Sequence, residues 1–321
     1  MEEEKEFVIP DGSLYYTVSE SGVLVTRFQG TAARVTVPAA IEGRPVRGLF
    51  KKAFLSRKDL RRVTLPDTLE EVGDWAFGYC SGLVQVTLPQ KQIRFGKSVF
   101  LECGSLQRIR LISAPPSEGS AEIFGESVPD SGTGKDSGEC VPQLLAAAVR
   151  VFDAYYLLEP LQAGSGEWLE KWDARLTAFL HTPDQEGYFR QVLCGEEDYG
   201  SKDLGAYVRE KRKGNVRLEF MRLLLPLGLK ETLQKELEEY LVSHTKGEDS
   251  QETWLVVLEE HGDDRAYYSL FARLGCLRPD NLGDILADIG EGHPEMKAYF
   301  LKCQGGGSGP EDFFEGLSLD D

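Results

Sequence analysis

The residues best suited to binding phosphate stand in a glycine-rich segment, SGTGKDS, at positions 131–137. A phosphate-binding loop requires a glycine five positions before Gly134 and a Ser or Thr directly after Lys135. The sequence has Pro129 and Asp136 at these two positions, and no strong strand precedes the segment. We therefore interpret it as part of a linker rather than as a nucleotide site.

The histidines and cysteines also lack the spacing of a catalytic or metal site. No histidine belongs to an HExxH motif or has a Cys or acid at ligand spacing, and all fall near predicted helix ends. The cysteines contain no CxxC pair, so we expect buried free thiols instead of a zinc site or a disulfide framework. These residues are His181, His244, His261 and His293, and Cys80, Cys103, Cys140, Cys194, Cys276 and Cys303.

Adjacent acids have the residue type needed for general acid–base chemistry, as in the pairs Glu259/Glu260 and Asp263/Asp264. Such neighbours arise by chance in a chain with 53 Asp and Glu, and a solvated face explains them. The sequence therefore predicts a protein that is not an enzyme and that needs no cofactor and no metal. An enzyme with an unrecognised carboxylate site in the second half of the chain is kept as an alternative.

Two segments have the composition of a binding surface. Between residues 44 and 62 the one acid is Asp59, whereas eight residues are basic. They are either turn residues that keep the chain soluble or a docking patch for an acidic partner, which is nucleic acid, another protein or the acidic second half of this chain. Nucleic acid is the least expected such partner, because aromatic residues for base stacking are sparse there. The basic residues are Arg44, Arg47, Lys51, Lys52, Arg57, Lys58, Arg61 and Arg62.

The second segment is the tail, residues 305–321, which combines Phe313 and Phe314 with several acids. This composition is typical of a disordered acidic segment, and equally of a linear motif that docks in a groove on a partner. Both interpretations stay open.

The net charge of −17 is placed unevenly. Residues 1–129 contain 16 basic and 16 acidic side chains, whereas residues 130–321 contain 20 and 37. Such a chain repels nucleic acid and anionic membranes. The first residues, MEEEKEF, lack the basic start and apolar run of a secretory signal, and no segment is long and apolar enough to span a bilayer. We therefore expect a cytoplasmic location.

The first half of the chain contains a repeat, and the fold of this repeat determines where the basic residues at 44–62 lie. The stretch VTLPDTLEEVGDWAFGYCSGL, residues 63–83, returns 23 residues later as VTLPQKQIRFGKSVFLECGSL with eight positions unchanged, and Phe54, Phe77 and Phe100 keep the same period. In a solenoid, identical residues stack between neighbouring units. Val63 and Leu65 alternate with Thr64 before a proline, which predicts one short strand per unit in a parallel sheet. An earlier copy lies 28 residues before the second, and a fourth begins at Ile109.

The sequence VTLP, a following AF, then C-S-x-L and the 23-residue step resemble the BspA-like leucine-rich repeat family over about residues 7–129. The resemblance implies a short leucine-rich-repeat solenoid, an N-terminal cap with a hairpin from GSLYYTVSESGVLVTRF, a bacterial source and a tendency to bind proteins. Alternation along the strands predicts outward binding residues at Thr64, Gln85, Thr87 and Arg110.

The second half of the chain has helical periodicity. Apolar residues recur at i, i+3, i+4 and i+7 from Tyr267, from Leu282 and from Met296, with Gly and Pro between the three segments. Residues 274–304 resemble the helix pairs of ankyrin-type repeats but lack the TPLHxA signature. We expect a linker at 130–141 and an all-α helical-repeat domain at 142–304.

The fold class predicted is thus α+β and multidomain. The function that we infer is a non-enzymatic scaffold or adaptor that binds protein partners through its solenoid surfaces. A surface or glycan-binding, adhesin-like protein is the second alternative, and neither the partner nor the oligomeric state can be derived from these residues.

Overall fold

The computed structural model describes residues 3–112, 137–181, 204–248 and 250–304. These residues form two compact units, one containing the described residues up to Arg175 and the other containing those from Leu176 onward. The first unit is a β-solenoid of parallel strands with helices after it, and the second is helical, so the predicted α+β class is confirmed.

Two sheets form the sides of the solenoid. Sheet A begins with antiparallel strands that include the predicted hairpin and continues with parallel strands in the order β1-β2-β3-β6-β8-β10, and β5 pairs with β6. Sheet B is parallel, in the order β11-β9-β7-β4. The strands are β1 Lys5–Ile9, β2 Gly12–Ser19, β3 Gly22–Gly30, β4 Arg34–Thr36, β5 Ala40–Ile41, β6 Arg44–Leu49, β7 Arg62–Thr64, β8 Glu71–Val72, β9 Gln85–Pro89, β10 Arg94–Phe95 and β11 Arg108–Ile112.

The prediction of one strand per unit is wrong, because the units that begin at Val63 and Val86 each have a strand in sheet B and a second one in sheet A. The second strands, β8 and β10, have two residues each. A strand of two residues is too short to show an alternating pattern in the sequence.

A column of stacked phenylalanines fills the interior of the solenoid. The rings of Phe54, Phe77 and Phe100 are buried with centroids 5.1 and 5.5 Å apart, which confirms the predicted stack. Phe28 adds a fourth ring, 5.3 Å from Phe54. Offset stacking of this kind stabilises aromatic pairs by about 0.5–1.5 kcal/mol beyond burial.

Between the end of a sheet A strand and the next sheet B strand, each turn passes through the left-handed region twice. Lys52, Trp75 and Ser98 have φ values of 63°, 52° and 50°, and the residues four positions later, Ser56, Tyr79 and Glu102, have φ values of 58°, 59° and 55°. None of these residues is a glycine. Backbone hydrogen bonds connect neighbouring turns along this segment between the two sheets, because alternate N–H groups of one turn donate to carbonyl oxygens of the next turn.

The same ladder shows where these backbone hydrogen bonds stop within the described residues. The amide of Phe54 donates to the carbonyl of the next turn over 2.7 Å, and that of Phe77 does so over 2.9 Å. At the last phenylalanine, the N–H of Phe100 donates instead to the hydroxyl oxygen of Tyr155, at 3.2 Å. Tyr155 lies in a short 3-10 helix, Tyr155–Leu157, and helix α1, Ser137–Arg150, packs beside β11. Residues 137–141 of the expected linker are therefore helical, and residues 130–136 lie outside the described part of the chain.

The remaining helices follow in chain order. The three segments with i, i+3, i+4, i+7 periodicity form α6, α7 and α8, as predicted. No helix within the described residues is both long enough and apolar enough to cross a membrane. The helices are α2 Gly166–Leu180, α3 Leu204–Leu224, α4 Glu231–Ser243, α5 Glu252–Glu260, α6 Arg265–Arg273, α7 Leu282–Ile289 and α8 Pro294–Gln304.

Candidate partner-binding surface

The outer side of sheet B carries two columns of side chains in strand register. Val35, Val63, Val86 and Ile109 are buried, so the residues on either side of each point outward. Strand pairing aligns these outward residues from one rung to the next, and rungs of a sheet lie about 4.8 Å apart. We call this surface the arginine–threonine face; its residues are Arg34, Arg62, Gln85 and Arg108 in one column and Thr36, Thr64, Thr87 and Arg110 in the other.

The arginine–threonine face is basic and contains no acid. Arg34, Arg62 and Arg110 are exposed and have no ion pair within the described residues. Sheet A differs, because Arg47 pairs with Glu70 at 2.7 Å and Arg94 pairs with Glu71 at 3.0 Å across neighbouring turns. Both pairs are neutral overall, so these two arginines add no net positive charge to sheet A, whereas the exposed arginines of sheet B do.

The structure separates the basic residues predicted at 44–62, because this stretch runs most of the way around one turn. Arg44 and Arg47 belong to β6 in sheet A, and Arg62 belongs to β7 in sheet B. Arg61 donates to the carbonyl of Gly82 at 3.0 Å. The other four basic residues, Lys51, Lys52, Arg57 and Lys58, lie in the turn between the sheets.

The structure does place the four predicted strand positions, Thr64, Gln85, Thr87 and Arg110, side by side on sheet B. Three residues of this face, Arg34, Thr36 and Arg108, were not predicted. The repeat could have identified them, because Arg108 lies 23 residues after Gln85. Arg34 and Thr36 lie 28 residues before Arg62 and Thr64, the same step that relates Val35 to Val63. Phe313 and Phe314 lie outside the described residues.

The cysteines of the solenoid are core residues with unreactive thiols. The Cys80 thiol donates to the carbonyl of Phe54 at 3.0 Å, and the Cys103 thiol donates to that of Phe77 at 3.1 Å. Burial raises the pKa of Cys80 to about 11 and that of Cys103 to about 12, so both remain protonated at neutral pH. Cys140 and Cys276 are also buried, whereas the expectation of a buried thiol is wrong for Cys303, which is exposed at the end of α8.

The histidines of the second unit stand at helix ends, as predicted. His244 follows α4 and His261 follows α5 as C-cap residues, His181 follows the last residue of α2, and His293 precedes α8. Three or more potential metal ligands do not cluster anywhere in the described residues.

Each of the adjacent acids of the second unit has a partner in an ion pair, a histidine contact or a helix cap. Glu259 pairs with Lys213 at 2.6 Å, and Glu260 pairs with Arg217 at 2.7 Å. Asp263 contacts His293 at 2.6 Å, while the Asp264 side chain accepts a hydrogen bond from the backbone N–H of Ala266 as the N-cap of α6. These contacts are typical of ion pairs and caps on a helix surface, and they hold no two carboxylates in an acid–base pair.

One carboxyl of the second unit is unusual. Glu219 in α3 is fully buried, and neither of its side-chain oxygens has a hydrogen-bond partner. Burial raises its pKa well above the ordinary value, with a further contribution from the charge of Glu236. Burial therefore favours the protonated form of Glu219.

Comparison with known proteins finds leucine-rich repeats in the first unit. Residues 47–124 match the BspA type leucine rich repeat region, in six copies. No curated protein sequence matches the chain. A leucine rich repeat protein of T. pallidum is 29% identical, with a TM-score of 0.30; the match covers 34% of this chain and 50% of that one.

Two further solved structures each match about a third of the chain. A leucine rich cell surface protein from Faecalibacterium prausnitzii A2-165 is 24% identical and has a TM-score of 0.29. The match covers 34% of this chain and 30% of that protein's chain. A leucine-rich repeat protein from Bacteroides capillosus ATCC 29799 is 23% identical and also has a TM-score of 0.29. That match covers 32% of this chain and 78% of the other protein's chain.

Proposed function

Since residues 47–124 belong to the BspA-type leucine-rich repeat family, we propose that this protein is a non-enzymatic scaffold that binds a protein partner through the arginine–threonine face. The observation that carries the proposal is that Arg34, Arg62 and Arg110 are exposed and have no acidic partner among the described residues, whereas Arg47 and Arg94 of sheet A are ion-paired. Leucine-rich repeat proteins in general serve as interaction or adhesin-like scaffolds, and a solenoid offers a surface that grows with each unit.

The chemistry of the face favours an acidic protein surface. Guanidinium groups bind carboxylates in a planar two-point geometry, and arginine is enriched where protein interfaces gain most of their binding energy. Thr64 and Thr87 are short side chains between the arginines, so they leave room for a partner side chain to approach the strands. A cytoplasmic location is part of the same proposal, and fractionation of cells followed by immunodetection tests it.

The experiment measures binding of a fluorescein-labelled polyglutamate peptide by fluorescence anisotropy at 50 and 200 mM NaCl. The double variant Arg34→Gln/Arg62→Gln should weaken binding at least tenfold at the lower salt. The matched control, Arg47→Gln/Arg94→Gln, removes the same number of charges from sheet A and should leave the affinity within about twofold.

Three results would contradict the proposal. Equal loss in both double variants would mean that the peptide responds only to total charge. Wild-type protein that fails to bind the peptide would remove the basis for an acidic partner. Tighter binding of a single-stranded oligonucleotide than of polyglutamate would indicate a nucleic-acid partner.

A further inference from the structure

A second surface of the solenoid exposes large aromatic side chains beside lysines. Phe50, Trp75 and Tyr79 are 44%, 41% and 50% exposed. The ammonium of Lys51 lies 5.6 Å from the ring centre of Phe50, and that of Lys52 lies 5.0 Å from the ring centre of Trp75. We call these five residues the aromatic–lysine patch.

The patch lies on the side that joins the two sheets and shares no residue with the arginine–threonine face. Trp75 follows β8 by three positions, and the backbone N–H groups of Trp75 and Tyr79 donate to carbonyls of the next turn at 3.0 and 2.7 Å. Their backbone positions are therefore held by the same ladder that holds every turn.

Trp75 and Tyr79 are conformationally unfavourable residue types at these two backbone positions. Both have positive φ, a conformation that is uncommon for bulky residues. The fold requires this backbone in each turn, as Ser98 and Glu102 show one turn later, but it does not require an aromatic side chain there. Both rings nevertheless remain largely accessible, at 41% and 50% exposure. Strained, exposed residues of this kind point to a binding role.

We propose that the aromatic–lysine patch is a second protein-binding surface, which takes a short acidic segment carrying an aromatic or branched aliphatic side chain. Trp and Tyr are enriched among the residues that dominate interface energetics, because they bury a large rigid area at low entropic cost. Lys51 and Lys52 are placed over two of the rings, so a partner side chain stacked on the patch would have its neighbouring carboxylates within reach of two ammonium groups.

The test uses Trp75→Gly, because glycine adopts positive φ without strain and keeps the backbone of this turn. The probe is a labelled peptide that repeats Glu-Leu-Glu-Phe three times, and its affinity should fall at least tenfold. The control, Ser98→Gly, makes the same backbone change at the equivalent position one turn later and should bind as wild type. Trp75→Asn, whose side chain tolerates this φ, gives an independent variant and should lose affinity equally.

A second peptide, which repeats Glu-Ser-Glu-Ser three times, separates this proposal from the preceding one. Its binding should be unaffected by Trp75→Gly and weakened by Arg34→Gln/Arg62→Gln. Unchanged affinity of the first peptide in Trp75→Gly, or equal loss in Ser98→Gly, would overturn the second surface alone. Quenching of tryptophan fluorescence by oligosaccharides, without binding of the first peptide, would overturn it in favour of a glycan site.

Discussion

Removal of one hydroxyl at the end of the solenoid provides a sharp test of its architecture. In Tyr155→Phe, the N–H of Phe100 loses the acceptor that replaces the carbonyl of a further turn. A neutral hydrogen bond contributes about 0.5–1.5 kcal/mol, and a donor left unpaired in the interior costs about 1–3 kcal/mol. Because this donor is only partly buried, we expect a loss of about 1–1.5 kcal/mol. That corresponds to about 2–6 °C in Tm for a domain of 150–250 residues.

The assay combines thermal unfolding with hydrogen exchange read by mass spectrometry. The Phe100 amide should exchange about five- to tenfold faster in Tyr155→Phe, whereas the Phe77 amide, bonded to the next turn at 2.9 Å, should be unchanged. Tyr156→Phe is the matched control, because the Tyr156 side chain is 59% exposed and its hydroxyl has no hydrogen bond within the described residues.

The contribution of the Tyr155 hydroxyl to the stability of the folded chain also depends on pH. Burial raises the pKa of Tyr155 to about 12, whereas an unfolded tyrosine ionises near pH 10. The folded chain therefore keeps a proton that the unfolded chain releases, so the contribution of Tyr155 to stability is complete below pH 10 and is lost as the pH rises toward 12. The advantage of wild type over Tyr155→Phe should shrink between pH 10 and pH 12. Equal stability of the two proteins at pH 7, with unchanged exchange at Phe100, would refute the capping role.

The remaining predictions concern the two cores and the thiols. Phe77→Ala should lower the free energy of unfolding by about 3–5 kcal/mol in urea denaturation, because it removes a buried ring from the middle of the column; a cost below 1 kcal/mol would contradict the stack. Glu219→Gln should be more stable than wild type at pH 8 and no more stable at pH 5. Burial raises the Glu219 pKa, so its contribution is complete below the unfolded pKa near 4.5 and is lost as the pH rises, and urea midpoints at both pH values measure the difference. A pulse of iodoacetamide at pH 7.5 should label Cys303 before Cys80 or Cys103, because Cys303 is exposed and the other two are buried and protonated; mass spectrometry giving the reverse order would disprove the burial.

The repeat could be predicted because its physical cause is local. Residues that stack on identical neighbours must recur at a fixed step, so Phe54, Phe77 and Phe100 marked the column and Val63 and Val86 marked a sheet. Phe28 escaped the pattern because it precedes Phe54 by 26 positions instead of 23.

The candidate surface could be predicted only in part. Alternation along one strand identified Thr64 and Thr87 as outward residues, since that rule needs no partner strand. The grouping of Arg34 with Arg62 required the register across an insertion of five residues, and the division of the 44–62 basics between two sheets required the second strand of each turn. Runs of charge that are continuous along the chain are therefore a poor guide to charge that is continuous in space.

The amino-acid sequence by itself determined the solenoid, its parallel strands and the helical character of the second half, because each follows from periodic burial of apolar side chains. Tertiary structure alone decided that the Tyr155 hydroxyl accepts from the amide of Phe100, 55 residues earlier, and that three arginines of one sheet have no ion pair within the described part of the chain. A single hydrogen bond and an absent ion pair leave no period in a sequence, since each depends on which distant atoms the fold brings within about 3 Å.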